Sequence, residues 1–332
     1  MPKQLKRHRY FYYMKAIFWS KYGSPEHLKL QELPTPIPKE DEVLIEIKAT
    51  SVNRSDCAMF YAKPFFMRLM TGLSKPKSGI LGTEFSGVVA GLGDGVASFK
   101  IGDAVFGLNP DGLCSHAEYM VIDQSAAIAL KPSTLSFEEA GACTEGAHYA
   151  QNMINKVSLK RGDKVIINGA TGGIGSAALQ LAKYYGAEVT AVGNTKNLEL
   201  LKSLGADFVI NYEKEDFSKL KGQYNYVFDT VGKSTFFKCK HLLKPTGVYE
   251  SSELGPYAQN VFLSLIGLVS KGRKVKFPFP TDTNASLFLV KKLMESGQMR
   301  PVIDRTYSLE DVGKAFEYVV AGNKTGNVAI TV

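Results

Sequence analysis

The stretch KVIINGATGGIG, residues 164–175, decides the fold of this chain. Its β-branched apolar residues predict a strand, its glycines predict a tight turn, and residues 176–183 (SAALQLAK) predict a helix. A second strand is predicted over Glu188–Val192, which completes a strand–helix–strand unit. In such a unit the glycines let a pyrophosphate approach the backbone at the N-terminus of the helix. The stretch therefore predicts a dinucleotide-binding site.

Ala170, Gly172 and Gly175 occupy the three positions of the G-x-G-x-x-G fingerprint, with alanine in place of the first glycine. Gly172 is expected to let the phosphates approach, and Gly175 to let the helix pack closely on the strand. We therefore expect the whole turn to bind the cofactor, through Ala170, Thr171, Gly172, Gly173, Ile174 and Gly175.

Strands and helices continue to alternate beyond this unit, with helices predicted over Lys196–Leu204 and Lys233–Leu243. The predicted strands, besides the one that enters the glycine turn, are Glu188–Val192, Asp207–Asn211, Tyr224–Asp229, Gly247–Ser251 and Lys274–Phe277. Six strands with helices between them predict an α/β fold with a doubly wound, parallel six-stranded Rossmann sheet. We expect this nucleotide-binding domain over residues 137–284, inserted in a β-rich domain of residues 1–136 and 285–332.

The chain has 332 residues and a formal net charge of +8. Half of this excess lies in residues 1–13 (MPKQLKRHRYFYY), which contain four Lys or Arg residues and no acid. Met14 reads like a natural start, so residues 1–13 are interpreted as a loose basic tail or a misplaced initiation. The charge on the rest of the chain is ordinary, and we do not expect a nucleic acid as a partner.

The four cysteines, Cys57, Cys114, Cys143 and Cys239, are widely scattered and include no C-x-x-C pair. This spacing favours neither a zinc knuckle nor a disulfide framework and is typical of a reduced, cytoplasmic protein. The longest apolar stretch, Val261–Val269, is shorter than the roughly 20 residues that cross a bilayer. Residues 1–13 lack the apolar core of a signal peptide. We expect a cytoplasmic protein without a membrane partner.

Four segments carry a resemblance to a known family, and their order and spacing make it specific. The chain from about Met14 to Val332 resembles the medium-chain dehydrogenase/reductases, in particular their zinc-free quinone oxidoreductase (zeta-crystallin-like) branch. The segments are GTEFSG at 82–87, ATGGIG at 170–175, LGAD at 204–207 and VFDTVG at 227–232. The resemblance implies that the β-rich domain is a GroES-like substrate domain.

The resemblance also bears on zinc, because the chain departs from the zinc-dependent alcohol dehydrogenases of the same family. Where those enzymes have a cysteine ligand this chain has Asn53, and where they have a histidine ligand it has Thr83. Cys143 lies close to the third ligand position, although Thr144 matches it better by count. A single thiolate cannot hold a catalytic zinc ion, which needs three protein ligands. We therefore expect no metal.

Without a Lewis acid, oxidation of an alcohol loses its main source of charge stabilisation in the transition state. Hydride addition to a conjugated carbonyl is less demanding, because the charge spreads through an enolate or hydroquinone anion that hydrogen-bond donors can stabilise. The sequence therefore predicts reduction of a small hydrophobic quinone or α,β-unsaturated carbonyl by a nicotinamide cofactor.

Asn53 and Asp56 match an N-x-x-D element that, by the resemblance, lines the active-site cleft. Asn53 is expected to donate a hydrogen bond to the substrate or to the cofactor amide, and Asp56 to organise the wall. The alternative is that both residues only cap a helix that begins near Ser55, since Asn, Ser and Asp are preferred caps. The apolar insert Lys63–Met70 that follows is either a lid over a hydrophobic substrate or a short buried helix.

Two further side chains are candidates for proton transfer. Tyr61 could donate a proton near the substrate, although packing is the default role of a tyrosine. His148 could shuttle a proton, since histidine titrates near neutrality, or could be a surface or capping residue of a helix over Ala147–Asn155. Thr144 begins the segment that joins the two domains, where the nicotinamide ring is expected.

The choice of cofactor depends on the end of the second strand, where NAD-specific folds have an acid that binds the ribose hydroxyls. That position falls on Gly193, and the next residues, Asn194, Thr195 and Lys196, include no acid and one base. Tyr212 matches a tyrosine that contacts the 2′-phosphate in quinone oxidoreductases. These residues predict NADPH as the cofactor. The alternative is that Lys196 merely begins a solvated helix against which Tyr212 packs.

The resemblance implies a homodimer, because relatives pair the edge strands of their nucleotide-binding domains. Lys271–Phe279 is the candidate edge strand, and the apolar segment Val261–Val269 precedes it. Two other functions stay open. One is an enoyl-thioester reductase of the same fold, and the other is a non-catalytic NADPH-binding protein that binds RNA through its basic, aromatic tail.

Overall fold

A computed structural model of the chain describes residues 13–77, 79–110, 113–279 and 281–332. Within these ranges the strands are β1 (Tyr13–Trp19), β2 (Leu28–Pro34), β3 (Glu42–Ser51), β4 (Glu84–Leu92), β5 (Ala104–Leu108), β6 (Tyr119–Asp123), β7 (Ala127–Leu130), β8 (Lys164–Asn168), β9 (Glu188–Gly193), β10 (Phe208–Asn211), β11 (Tyr224–Asp229), β12 (Leu243–Ser251), β13 (Lys274–Lys276), β14 (Ile303–Ser308) and β15 (Asn327–Thr331). The α-helices are α1 (Arg54–Tyr61), α2 (Met67–Thr71), α3 (Phe137–Gly141), α4 (Thr144–Val157), α5 (Gly173–Tyr184), α6 (Leu198–Ser203), α7 (Phe236–Cys239), α8 (Gln259–Gly267), α9 (Thr283–Glu295) and α10 (Val312–Ala321). Apart from Tyr13, the predicted basic tail lies outside the described residues.

The chain divides into two compact units. The first contains the described residues up to Ala142, with 303–324 and 328–332, and the second contains 143–302 with 325–327. The sequence analysis placed the inserted segment at 137–284, which left α9 with the outer domain. In the structure α9 belongs to the second unit, where Ser286 on α9 is hydrogen-bonded to His148 on α4 at 2.9 Å.

The first unit is β-rich, as the sequence predicts. Strand β3 is central and pairs antiparallel with β4, β6 and β15, while β5 joins β4 to β7. One core lies on this sheet and includes Val43, Phe85 and Met120. A second core packs Trp19 of β1 and Phe316 of α10 around the ring of Phe60 on α1.

The second unit contains a parallel six-stranded sheet in the order β10-β9-β8-β11-β12-β13. In chain order, β9 and β10 follow β8 on one side of the sheet, and β11 then pairs with β8 on its other side. Asp229, at the end of β11, is in register with Asn168, at the end of β8. Ligands of such sheets bind at the carboxyl ends of the strands where the order reverses. The predicted doubly wound, parallel six-stranded sheet is confirmed.

Two of the predicted helices contain 3-10 turns in the structure. The helix predicted over Lys233–Leu243 consists of α7 and the 3-10 turn Lys240–Leu242, because β12 already begins at Leu243. The helix predicted over Lys196–Leu204 begins as a 3-10 turn over Thr195–Asn197 before α6, so Lys196 lies on that turn. Within the described residues, no helix is long and apolar enough to span a membrane.

Candidate functional site

The glycine turn between β8 and α5 brings the helix unusually close to the strand end. A Cβ atom added to Gly175 would lie 2.1 Å from the carbonyl oxygen of Gly169 and 2.8 Å from the Cα of Ala170. No side chain fits there, so glycine at this position permits the close packing that the fingerprint requires. Ala170 is buried, and its N–H donates to the carbonyl oxygen of Val192 on β9 at 3.0 Å.

The N-terminus of α5 is suited to an anion. Its N-cap, Gly172, has extended backbone and makes no side-chain capping hydrogen bond. A Cβ atom added to Gly172 would meet nothing closer than the Gly169 carbonyl oxygen at 3.5 Å, so the space beside this residue is open. Helix N-termini with uncapped N–H groups bind phosphate through those groups and the helix dipole. The turn formed by Thr171, Gly172, Gly173 and Ile174 therefore fits a dinucleotide pyrophosphate.

The carboxylate of Asp229 organises the strand ends beside this turn. Its Oδ1 accepts from Asn168 Nδ2 at 2.9 Å, and its Oδ2 accepts from the Ser234 N–H at 2.8 Å and from the Tyr249 hydroxyl at 3.0 Å. Asp229 is fully buried. One side chain thus connects β8, β12 and the loop after β11. The sequence analysis used Asp229 only as part of a family segment and did not assign it this role.

The ribose end of the candidate site lies where β9 and β10 end side by side. Gly193 is the last residue of β9, as the sequence count requires, and its carbonyl oxygen accepts from the Tyr212 N–H at 3.0 Å. Asn194 Oδ1 accepts from Asn197 Nδ2 at 2.8 Å, which closes the turn that carries Lys196. The side chains of Lys196 and Tyr212 are both exposed. They are therefore accessible to a ligand at this edge.

An acid that the sequence analysis missed also lies at this edge. Glu213 Oε2 accepts from the backbone N–H of Thr195 at 3.2 Å and from its hydroxyl at 2.5 Å. These hydrogen bonds lower the pKa of the exposed Glu213 carboxyl, so the group is ionised at neutral pH. The search for an acid covered only the residues after β9, whereas this one comes from the residues after β10.

The structure does not support a proton shuttle at His148. Burial lowers the pKa of the His148 imidazole to about 4. Asn152 Oδ1 accepts from the Thr281 N–H at 3.2 Å, so Asn152 Nδ2 is the donor to His148 Nε2 at 3.1 Å. Nδ1 then carries the proton and donates to Ser286 Oγ at 2.9 Å. The expectation that His148 titrates near neutrality is wrong, because α4 is buried on this face. Thr144, the first residue of α4, is buried as well.

In the first unit, Asn53 and Asp56 form a reciprocal capping box at the start of α1. Asn53 Oδ1 accepts from the Asp56 N–H at 2.9 Å, and Asp56 Oδ2 accepts from the Asn53 N–H at 3.0 Å. The capping alternative raised from the sequence therefore describes part of their role. Asn53 Nδ2 is also directed away from the helix and donates to Thr83 Oγ1 at 2.7 Å. Capping thus fixes the orientation of an amide beside a threonine hydroxyl.

A second carboxyl group lies near this cap. Burial, with a smaller contribution from the Glu84 carboxylate, raises the pKa of Asp56 to about 8. Glu84 is buried too and accepts from Ser51 Oγ at 2.5 Å. His116 Nε2 donates to the Ser51 carbonyl oxygen at 2.7 Å, and burial lowers the pKa of this imidazole to about 4. The side chains beside Asn53 are therefore polar and hydrogen-bonded to one another. The shifted pKa values favour the neutral forms of the His116 imidazole and the Asp56 carboxyl.

Tyr61 and the apolar insert occupy different environments. Tyr61 packs beside Phe60 with 4.9 Å between ring centroids, and burial raises the pKa of its hydroxyl. This environment is the packing role that the sequence analysis gave as the default. In the insert, Phe65 and Leu69 are 73% and 67% exposed, so it is not a buried helix. The guanidinium carbon of Arg68 on α2 lies 4.7 Å from the centroid of the Tyr22 ring. This contact holds α2 against the segment that contains Tyr22.

In the ranges that the structure describes, no group of three or more His, Cys, Asp or Glu side chains is placed to hold a metal ion. Within the same ranges, Cys57, Cys114, Cys143 and Cys239 form no disulfide bond. Cys143, which lies near the position of a third zinc ligand, is directed at the sulfur of Met294 at 3.8 Å.

Two family models match the chain. One describes an alcohol dehydrogenase GroES-like domain and covers residues 39–158, and the other describes a zinc-binding dehydrogenase and covers residues 204–330. The quinone oxidoreductase from Coxiella burnetii has a similar structure, with a TM-score of 0.86 and 31% identity over 96% of this chain and 99% of that chain.

Curated relatives extend the comparison. A 2-methylene-furan-3-one reductase of Solanum lycopersicum is 34% identical over 96% of this chain and 79% of that protein. A chloroplastic NADPH-dependent alkenal/one oxidoreductase of Arabidopsis thaliana is 30% identical over the same shares of the two chains. The similarity therefore extends through both units.

Proposed function

Because the chain belongs to the medium-chain dehydrogenase/reductase family, in its quinone oxidoreductase (zeta-crystallin-like) branch, we propose that it transfers hydride from NADPH to a quinone or an α,β-unsaturated carbonyl. The resemblance found in the sequence is confirmed, and the chain is an oxidoreductase. The similar proteins are named for reduction of a furanone, of alkenals and alkenones, and of quinones, which are all conjugated carbonyl compounds.

The observation that carries the proposal is the contact between Asn53 and Thr83. These residues replace the cysteine and the histidine of the zinc-dependent relatives, and they offer neutral hydrogen-bond donors in place of metal ligands. We therefore propose a zinc-independent reaction. A conjugated acceptor suits such a site, because its developing charge is delocalised and needs donors more than a metal ion.

The chain's own task is to hold the acceptor and the cofactor. When bound, NADPH would supply the hydride, and residues 170–175 with Lys196 would hold its phosphates. Asn53 Oδ1 is engaged by the Asp56 N–H, so Nδ2 is the donor side of the amide. Nδ2 directs one hydrogen to Thr83 Oγ1 at an N···O distance of 2.7 Å. Its N···O distance to Ser51 Oγ is 3.5 Å, at the limit of a hydrogen bond, so the second hydrogen is weakly engaged. We assign this second hydrogen to the carbonyl oxygen of the acceptor.

Water is the proposed source of the proton that completes the reduction. His148 is neutral at physiological pH with both ring nitrogens engaged, and Tyr61 packs against the core. Neither is available for transfer in this conformation. An enolate or hydroquinone anion is basic enough to take its proton from solvent after hydride transfer.

We also propose a homodimer formed through the second unit. On and after α8 the apolar side chains of Phe262, Leu265, Ile266, Leu268 and Val269 are exposed. The neighbouring β13 is the last strand of the sheet in the described part of the chain, and it is shorter than the predicted Lys271–Phe279. A contiguous exposed apolar surface next to a sheet edge is typical of a subunit interface.

We propose a cytoplasmic location. The four cysteines form no disulfide bond in the described part of the chain, which agrees with a reducing compartment. The Arabidopsis relative is described as chloroplastic, so relatives of this family also occur in organelles.

The function is tested by following NADPH oxidation with the purified chain and four acceptors. These are benzoquinone, methyl vinyl ketone, crotonyl-CoA and the unconjugated ketone cyclohexanone. We expect turnover with the first two and none with cyclohexanone. Exclusive turnover of crotonyl-CoA would instead support the enoyl-thioester reductase. NADPH binding without turnover of any acceptor would support the non-catalytic alternative, for which loss of RNA binding on deletion of residues 1–13 is the direct test.

A further inference from the structure

The turn after β9 and the residue after Tyr212 form a closed set of hydrogen bonds. Thr195 offers its N–H and its hydroxyl to the same oxygen, Glu213 Oε2, at 3.2 and 2.5 Å. Asn211 Nδ2 donates to Thr195 Oγ1 at 2.8 Å, which orients the hydroxyl hydrogen towards Glu213. Asn211 Oδ1 in turn accepts from the Glu213 N–H at 3.0 Å. The carboxylate is therefore held in one place by Thr195, which Asn211 orients.

The turn that carries Thr195 and contacts Glu213 lies at the ribose end of the candidate site. The end of the second strand of a Rossmann sheet is the position that contacts the adenosine ribose, and here it is Gly193, two residues before Thr195. A backbone N–H beside a hydroxyl is a donor pair of the kind that binds a phosphate oxygen. In this chain the pair is already engaged by an anion of the protein itself.

We propose that Glu213 sets the discrimination between the two nicotinamide cofactors, by opposing the 2′-phosphate of NADPH and accepting a hydrogen bond from the ribose hydroxyl of NADH. The inference rests on the proposed function, in that the second unit binds a nicotinamide dinucleotide. Lys196 attracts the phosphate, and Glu213 works against it. To bind NADPH, the phosphate must displace the carboxylate from Thr195 or bind beside a like charge. The preference for NADPH is therefore smaller than Lys196 alone would produce.

The contrast with other acids on the same loop supports a specific role. Glu215 is exposed like Glu213, but the hydrogen bonds of Thr195 go to Glu213. Glu213 also lies just beyond the end of β10, the strand next to β9 in the sheet, where Asn211 is in register with Gly193. An acid supplied from this neighbouring strand reaches the place that an acid at the end of β9 would otherwise fill.

The test compares Glu213→Gln with the wild-type chain, using Glu215→Gln as a control with the same change of charge on the same loop. Dissociation constants are measured by calorimetry for NADPH and NADH, and for adenosine 2′,5′-bisphosphate and AMP as probes of the ribose end alone. Glutamine keeps the size of the side chain and can accept from Thr195, but it removes the negative charge.

We expect Glu213→Gln to increase the affinity for NADPH relative to NADH by about five- to tenfold at low ionic strength. The same increase is expected for the bisphosphate relative to AMP, and it should shrink as salt is added, since the groups are exposed. Glu215→Gln should leave both ratios unchanged.

An unchanged ratio in Glu213→Gln would overturn the inference. A lowered ratio would overturn it too, because Glu213 would then only position Thr195 for the phosphate. Binding of neither dinucleotide by the wild-type chain would instead contradict the proposed function itself, so the two failures are distinguishable.

Discussion

The amide nitrogen of Asn53 lies 2.7 Å from the hydroxyl oxygen of Thr83, so two positions separated by 30 residues in the sequence meet in one hydrogen bond. By the resemblance found in the sequence, these positions carry two of the metal ligands in the zinc-dependent alcohol dehydrogenases. In this chain an amide and a hydroxyl meet there instead. Both groups are poor ligands for zinc, which prefers thiolate, imidazole and carboxylate.

We therefore predict that zinc does not copurify with the chain at stoichiometric occupancy and that chelators leave its reductase activity intact. Elemental analysis of the purified protein checks the first point, and assays before and after dialysis against a chelator check the second. About one zinc ion per chain, or activity lost on chelation and restored by zinc, would contradict the prediction.

The wild-type chain should use NADPH at least about tenfold more efficiently than NADH in kcat/KM, because a charge-assisted hydrogen bond to phosphate contributes about 1.5–3 kcal/mol. Lys196→Ala should reduce this ratio with little effect on the kinetics with NADH. Lys202→Ala is the control, since Lys202 is an exposed base on α6 that pairs with Glu199 at 2.8 Å. Equal efficiency with both cofactors in the wild type would defeat the assignment of Lys196.

Leu265→Asp should convert the proposed homodimer to a monomer. The substitution places a charge on the exposed apolar surface of α8, where it would be costly to desolvate in an interface. Ile101→Asp is the matched control, because Ile101 is an exposed apolar residue of the first unit. Sedimentation equilibrium at micromolar concentration measures the outcome. A monomeric wild-type chain would reject the proposed dimer.

The environment of His148 predicts a loss of stability in mild acid. The folded imidazole has a pKa of about 4, below its ordinary value of 6.5, so between these values the unfolded chain binds a proton that the folded chain does not. The free energy of unfolding should therefore fall as pH decreases through this range, by about 1–3 kcal/mol from this group.

Urea unfolding of His148→Gln measures this contribution, with the exposed His241→Gln as a control. The glutamine variant should show a shallower decrease with falling pH, and part of the decrease should remain because His116 is buried with a similarly lowered pKa. Identical pH dependence in His148→Gln and the wild type would show that His148 is not buried in its neutral form.

Asp56 predicts the opposite dependence on pH. Its pKa is raised from the ordinary value of 3.8 to about 8 in the folded chain, so between these values the folded state holds a proton that the unfolded state has lost. The free energy of unfolding should therefore decrease as pH rises through this range and level off above about 8. Asp56→Asn keeps an oxygen that can accept from the Asn53 N–H and removes the ionisation. The variant should be more stable than the wild type, by at least about 2 kcal/mol, well above pH 8.

Glu139→Gln makes the matched change in the exposed capping box of α3 and should not alter the decrease in stability between about pH 4 and 8. Urea unfolding below and above the raised pKa measures both variants. If the free energy of unfolding of Asp56→Asn falls with rising pH as steeply as that of the wild type, ionisation of Asp56 does not cause the decrease.

The parts of the fold that follow from local pattern were predictable. The strand Tyr224–Asp229 has the predicted bounds, because its apolar run ends sharply at the Asp-Thr-Val-Gly turn. The α-helical part after Thr235 is only four residues long, against a prediction that ran from Lys233 to Leu243. Here the chain enters β12 at Leu243 because that residue pairs with Tyr224 on β11, and such pairing is a tertiary effect that outweighs local propensity.

The candidate site was predictable only where one segment supplies it. The glycine turn is continuous in sequence and could be recognised as a unit. Glu213 acts through Thr195, 18 residues earlier, and the two meet only because β10 lies beside β9 in the sheet. The environment of His148 depends on Ser286, 138 residues away, so its burial could not be read from the helix that carries it.

Asp229 affects how a ligand would bind at the edge of the sheet where the strand order reverses, between β8 and β11. Its carboxylate already joins the end of β8 through Asn168, the loop after β11 through Ser234, and β12 through Tyr249. The loops at this edge therefore lose their conformational freedom when the second unit folds, before any ligand arrives. A dinucleotide does not have to order them, and the affinity that the backbone contacts provide is not diminished by that entropic cost.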